Sequence, residues 1–313
     1  EVVQAIKQTS TTLVAGKSTM VRIRMDATGT VPSGTFVDGI LRVVVDGVEA
    51  PWSPVYSQNG PLDVSIPSSS AAINGTLNFV FLPPQSNDVV MTVELNPAGP
   101  TQVPETDTSN NFVAFEPARF SCRRIAELVY VPIDYRPSGG PVPNLPPKNL
   151  IDPAMGDNFI QGIYPGPDWE YHRSDAPSKL WTSSLSGSGS ALNNSMLVDL
   201  QMMNPQPDFI YGWVNGGLPY NGQAIGIPGQ AAMGNTQEFK HQRTFAHELG
   251  HLVGLGHNST KLNQLALDVE HHMNEPLVLP QVKAASLNDI MSPGLNSDQA
   301  WVAHTNYLNF LKH

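Results

Sequence analysis

The sequence predicts two domains of different class: an all-β sandwich over residues 1–117, then an α/β (α+β) domain over residues 118–313. Three observations carry this. Residues 1–117 hold six or seven short apolar runs separated by turn residues, the texture of a sandwich. From residue 128 onward the order becomes strand, helix, strand, helix. At 313 residues the chain is also long enough for two cores.

In the first domain Val21, Ile23 and Met25 alternate with Arg22 and Arg24, which reads as a half-buried strand with the arginines outward. Further strands are expected at 40–45, 62–66, 77–82, 89–95 and 112–115. Asp46-Gly47 between two valine-rich pieces marks a hairpin turn. Val93-Glu94-Leu95-Asn96-Pro97, followed by Glu105 and then Asn110-Asn111, resembles the end of bacterial adhesion-type immunoglobulin-like domains. The resemblance implies an immunoglobulin-like sandwich. The Asp107–Asn111 stretch is a candidate Ca2+ loop, although isolated Asp/Asn clusters are usually only solvated.

In the second domain a strand is expected at 128–133, a Pro-rich surface loop at 137–147, a helix at 192–203 and a strand at 209–214. A small-residue segment, 222–234, precedes a helix with Phe239, Phe245, Ala246, Leu249, Leu252 and Val253 as its apolar stripe. Asn235 and Thr236 are its candidate caps. A closing helix is expected at 298–311.

That central helix carries His247-Glu248-Leu249-Gly250-His251-Leu252-Val253-Gly254-Leu255-Gly256-His257. His247 and His251 are four apart, so their rings share one helical face and can reach one ion. Glu248 lies beside that face, where a carboxylate can take a proton from water. Gly254 allows the chain to leave the helix at positive φ, so that His257 can return as a third ligand. Three protein ligands leave a position for water or substrate, which marks catalysis rather than a structural ion. From ordinary composition such a match arises by chance in about one chain of this size in ten thousand.

These eleven residues resemble the metzincin signature of zinc peptidases. The resemblance implies one catalytic Zn2+ on His247, His251 and His257, with Glu248 as the base. It also implies a Met-turn at Ile290-Met291-Ser292-Pro293-Gly294, whose Met291 forms an apolar floor under the ligands. An upper subdomain would span about 118–257 and a lower one about 258–313. The segment before the helix would be an edge strand that binds substrate by strand addition, here 223–233, with Gln230, Ala231 and Ala232 as candidate contacts. Pro293, two residues after the Met, is similar to adamalysins and matrixins rather than astacins. Asn258 after the third His fits neither closely, and the stretch from His257 to Met291 is long for a matrixin. His271 and His272 read as surface or packing residues, since three ligands are already assigned.

The net charge of −10 and the lack of a basic run argue against nucleic acid. No apolar run is long enough to span a membrane. Cys122 is the one cysteine, so no intrachain disulfide can form, which argues against an animal extracellular protease. Its context, Phe120-Ser121-Cys122-Arg123-Arg124, does not match the latency motif of metzincin propeptides. A chain starting at Glu1 without Met is expected to be a processed form. The reading is a secreted bacterial zinc endopeptidase acting on protein or peptide, at the cell surface or outside it. Nothing in the sequence sets its oligomeric state. The alternatives are a specialist glycoprotein or mucin protease, and an adhesin-like binding protein with an inactive zinc domain. The intact Glu248 speaks against the last.

Overall fold

A computed structural model describes the chain except residues 8–11, 154–157, 186, 188, 217, 271–279 and 312–313. The chain divides into two compact units. One is Glu1–Arg123 with Gln264–Ala284, the other Arg124–Asn263 with Ala285–His313.

The first unit is built from two main sheets. Val2–Val3, Thr19–Ile23 and Leu77–Phe81 form an antiparallel set. Thr12–Val14, Ala118–Ser121, Ser86–Leu95, Gly39–Val45 and Val48–Glu49 follow one another in the second, with one parallel pair, Thr12–Val14 on Ala118–Ser121. Period-two alternation explains the packing. Leu41 and Val43 are fully buried while Arg42 between them is exposed. They share one core with Val21 and Phe79 from the first sheet and Met91, Val93 and Phe120 from the second. Asp46 and Gly47 both sit at positive φ (49° and 81°), the requirement of the tight hairpin expected there.

Three expectations need correction in this unit. Arg22 does not face solvent; it is 2% exposed. Its guanidinium donates to Glu1, Thr76, Asn78 and the carbonyls of Ser70 and Ala72, so burial is balanced by hydrogen bonds. The strand Ala118–Ser121, placed in the second domain by sequence, is paired within the first. Cys122 follows that strand, exposed, its thiol donating to Gln85.

The third concerns 264–284, which the sequence assigns to the lower part of the second domain. It forms a hairpin, Ala266–Asp268 with Gln281–Lys283, that counts with the first unit. Leu267 and Val269 pack with Val3 and Met20. The Glu270 carboxylate accepts from the Ser18 amide and hydroxyl, 3.6 Å from the buried Lys17 ammonium.

The second unit centres on a sheet ordered Trp169–Arg173, Ala126–Tyr135, Phe209–Val214, Gly229–Asn235, Gly222–Gly226, with Lys179–Trp181 also on Ala126–Tyr135. All pairs are parallel except the last two strands. Such a sheet is covered on both faces. Ile210 and Val214 pack with Met196, Leu197 and Leu200 of the helix Ala191–Met203. The alternate residues Tyr211 and Trp213 pack against Phe245 of the helix His241–Leu252. The closing helix is shorter than expected, His304–Phe310. Ahead of it Ala300–Trp301 is extended and pairs with Asn288–Asp289, which carries Trp301 fully into the core.

Candidate metal centre

Every residue from Arg243 to Leu252 is buried in the helix His241–Leu252. Phe245 faces the sheet, and the opposite face presents Arg243, His247 and His251 at four-residue spacing. The expected caps are not used. The residue before the helix is Lys240, without a side-chain cap, and Asn235 closes the preceding strand, accepting from the Gln237 amide.

The helix ends where expected. Gly254 has φ 95°, and the Leu255 amide reaches back to the Gly250 carbonyl. This reversal returns His257 to the helix face. Its Nε2 lies 3.0 Å from Nε2 of His247 and 3.1 Å from Nε2 of His251. The other ring nitrogens are engaged: Nδ1 of His247 donates to the Ile290 carbonyl (2.9 Å), and Nδ1 of His251 to the Leu255 carbonyl (2.7 Å). A proton on each Nδ1 leaves a lone pair on Nε2, the tautomer a metal ligand needs.

Burial, with Arg243 nearby, lowers the His247 pKa to about 3, and burial also lowers that of His251. The lone pairs of His247 and His251 both face Nε2 of His257; a proton there would satisfy one of them, whereas a single cation satisfies all three nitrogens. Zn–N bonds of about 2.1 Å are long enough to bridge these separations. Among the described residues this is the one group of three or more His, Cys, Asp and Glu able to hold a metal ion. His247 and His251 are buried and His257 is exposed, so an ion held there would be open on one side.

Glu248 is buried, and its carboxylate accepts from the Ala224 amide. Burial raises its pKa to about 8, against the opposing pull of Arg243 and of that amide. Gly222 makes room for it: a β-carbon there would stand 2.8 Å from Glu248 Cγ. Met291 is fully buried beneath the helix, against Gly250, while Pro293 is exposed beside Gly294, which has φ 77°.

The expected substrate contacts Gln230, Ala231 and Ala232 are misplaced. Gly226 (φ 84°) and Gly229 turn the small-residue segment back on itself, so it makes two strands rather than one. Ala231 and Ala232 lie in the inner strand, fully buried, and Gln230 donates to the Pro207 carbonyl. The edge is Gly222–Gly226. His271 and His272 lie outside the described residues. Calcium finds no support: Asp107 accepts from Ser109, and Asn111 donates to Glu105. Sequence reasoning included Ala224 in the expected edge strand without a role toward Glu248, and missed Arg243 and Asp289. Only Arg243 left a signal, four residues before His247 on the ligand face.

Residues 180–312 match the family described as Metallo-peptidase family M12B, reprolysin-like. The match covers the motif helix, the three histidines and the Met291 turn, and leaves residues 1–179 outside. No curated protein matches the chain. The match and the histidine triad together support a zinc-dependent peptidase of metzincin type, with protein or peptide as substrate. Among the described residues no helix is long and apolar enough to cross a membrane.

Proposed function

We propose that this chain is a secreted zinc endopeptidase in which Glu248 moves the protons. The observation that carries the reading is the convergence of three imidazole Nε2 atoms, two of them locked in the metal-binding tautomer, beside a buried carboxylate. His247, His251 and His257 would hold the zinc, which supplies Lewis acidity to polarise the scissile carbonyl and acidify a water.

Glu248 takes the proton from the attacking water and gives it to the leaving amine. The Ala224 amide fixes the orientation of that carboxylate. A peptide would pair with the edge strand Gly222–Gly226 in extended form, with main-chain hydrogen bonds supplying affinity and side-chain pockets supplying preference. We read the first unit as an immunoglobulin-like sandwich that serves large or anchored substrates. Two sheets closing on one core support that reading.

The deciding experiment is cleavage of casein by the full chain, with and without a chelator. Activity lost on chelation and restored by one equivalent of zinc is expected. A protein that binds zinc yet cleaves no unfolded substrate would be a binding protein instead.

A further inference from the structure

Two buried charges flank the turn under the histidines. Arg243 is 1% exposed and Asp289 is fully buried. The Arg243 Nη2 donates to the carbonyls of Ile290 (2.9 Å) and Ser292. Oδ1 of Asp289 accepts from the Met291 amide (2.8 Å) and from the side-chain amides of Asn258 (2.9 Å) and Asn306 (2.7 Å), and Oδ2 accepts from the Ala303 amide (2.7 Å). The turn therefore shows its carbonyls to the cation and an amide to the anion. Its peptide dipoles stand between two charges that are costly to bury alone.

Each charge leads to a different histidine. The Ile290 carbonyl that accepts from Arg243 also accepts from Nδ1 of His247. Arg243 thus helps fix the oxygen on which that ring is aligned. Asp289 holds Asn258, the residue after His257, and the Asn258 amide donates to the Met291 carbonyl (3.2 Å). One carboxylate ties the third histidine's segment to the same turn. Side chains that orient ligands in this indirect way typically change metal affinity 10- to 100-fold when removed.

We propose that Arg243 and Asp289 are positioning residues that set the metal affinity of the triad, Arg243 through Ile290 and His247, Asp289 through Asn258 and His257. The proposal rests on reading the triad as a metal site. A purely structural pair would change thermal stability alone. A positioning pair changes affinity and ligand geometry in protein that remains folded.

The test compares the full chain with Arg243→Met, Arg243→Lys and Asp289→Asn. Zinc affinity is read by chelator competition, ligand geometry by the visible spectrum of the cobalt-loaded protein, and folding by circular dichroism of the metal-free protein. Arg243→Met should weaken zinc binding by about 10- to 100-fold and alter the cobalt bands. Arg243→Lys, which can return one donor to Ile290, should recover part of the loss. Asp289→Asn, with one acceptor oxygen fewer for four donors, should also weaken binding. Wild-type affinity and cobalt bands in whichever variants fold, even with a lowered melting temperature, overturn the proposal. Wild-type protein that binds no zinc overturns the metal reading itself.

Discussion

Met291 and Gly250 are fitted to each other: the methionine sulfur occupies the space that a β-carbon on residue 250 would need, and Cε follows at 3.2 Å. Gly250 sits mid-helix between two metal-binding candidates, where glycine costs about 1 kcal/mol relative to alanine. The close approach of the fully buried Met291 is what that weakness permits. Gly250→Ala should therefore gain helix propensity and still damage the site, because the new methyl would push on the thioether of Met291, which is already fully buried. Lower zinc content and turnover are expected in folded protein. A variant with full activity and a raised melting temperature would show that the fit is incidental.

The contrast with sequence reasoning follows the range of the signal. The three histidines, Glu248 and Gly254 were legible because helical spacing and one positive-φ reversal bring them together. The strand Phe209–Val214 and the turn at Asp46-Gly47 were legible for the same local reason. The small-residue run before the helix was not, since Gly226 and Gly229 read equally as one flexible strand or as a turn between two. Arg243 and Asp289 are charged, and composition assigns charges to the surface. Beside the local Met291 amide, carbonyls and amides from distant segments make them core residues here.

Glu248→Ala should keep one zinc per chain and lose turnover, by roughly 10²–10⁴-fold, the scale of a general base. His257→Ala should instead lose the metal, because one of three ligands is gone. Elemental analysis beside peptide cleavage separates the two. An active Glu248→Ala protein would remove the proposed mechanism.

The buried Glu248 also predicts a pH effect in metal-free protein. Its folded pKa, about 8, stands above the ordinary carboxylate value of 4.5. Burial thus favours the protonated form. The stability this group contributes is fully present below about pH 4.5 and is lost as pH rises through about 8. Glu248→Gln removes the titration. After chelation, the variant's advantage in urea midpoint over wild type should grow between pH 5 and pH 8. A constant difference across that range would contradict the buried, neutral acid. Zinc should reduce the advantage, since a nearby cation favours the carboxylate.

The hairpin at Gln264–Ala284 sets the last prediction. The sequence assigns residues 118–313 to one catalytic domain. That fragment would carry the hairpin without the strands it packs on, exposing Leu267 and Val269, which the intact chain buries with Val3 and Met20. It would also begin with a strand, Ala118–Ser121, stripped of its partners. Such a fragment should aggregate. The hairpin's ends suggest the remedy: the Asn263 amide donates to the Ala285 carbonyl at 3.0 Å, so a two- or three-residue turn can replace everything between them. A chain of residues 124–313 with 264–284 replaced in this way should be soluble, monodisperse on gel filtration and able to bind one zinc. If the uncut fragment proves equally soluble, the hairpin does not depend on the first unit. If the shortened one folds but binds no zinc, the path from His257 to Met291 needs the hairpin for more than its connection.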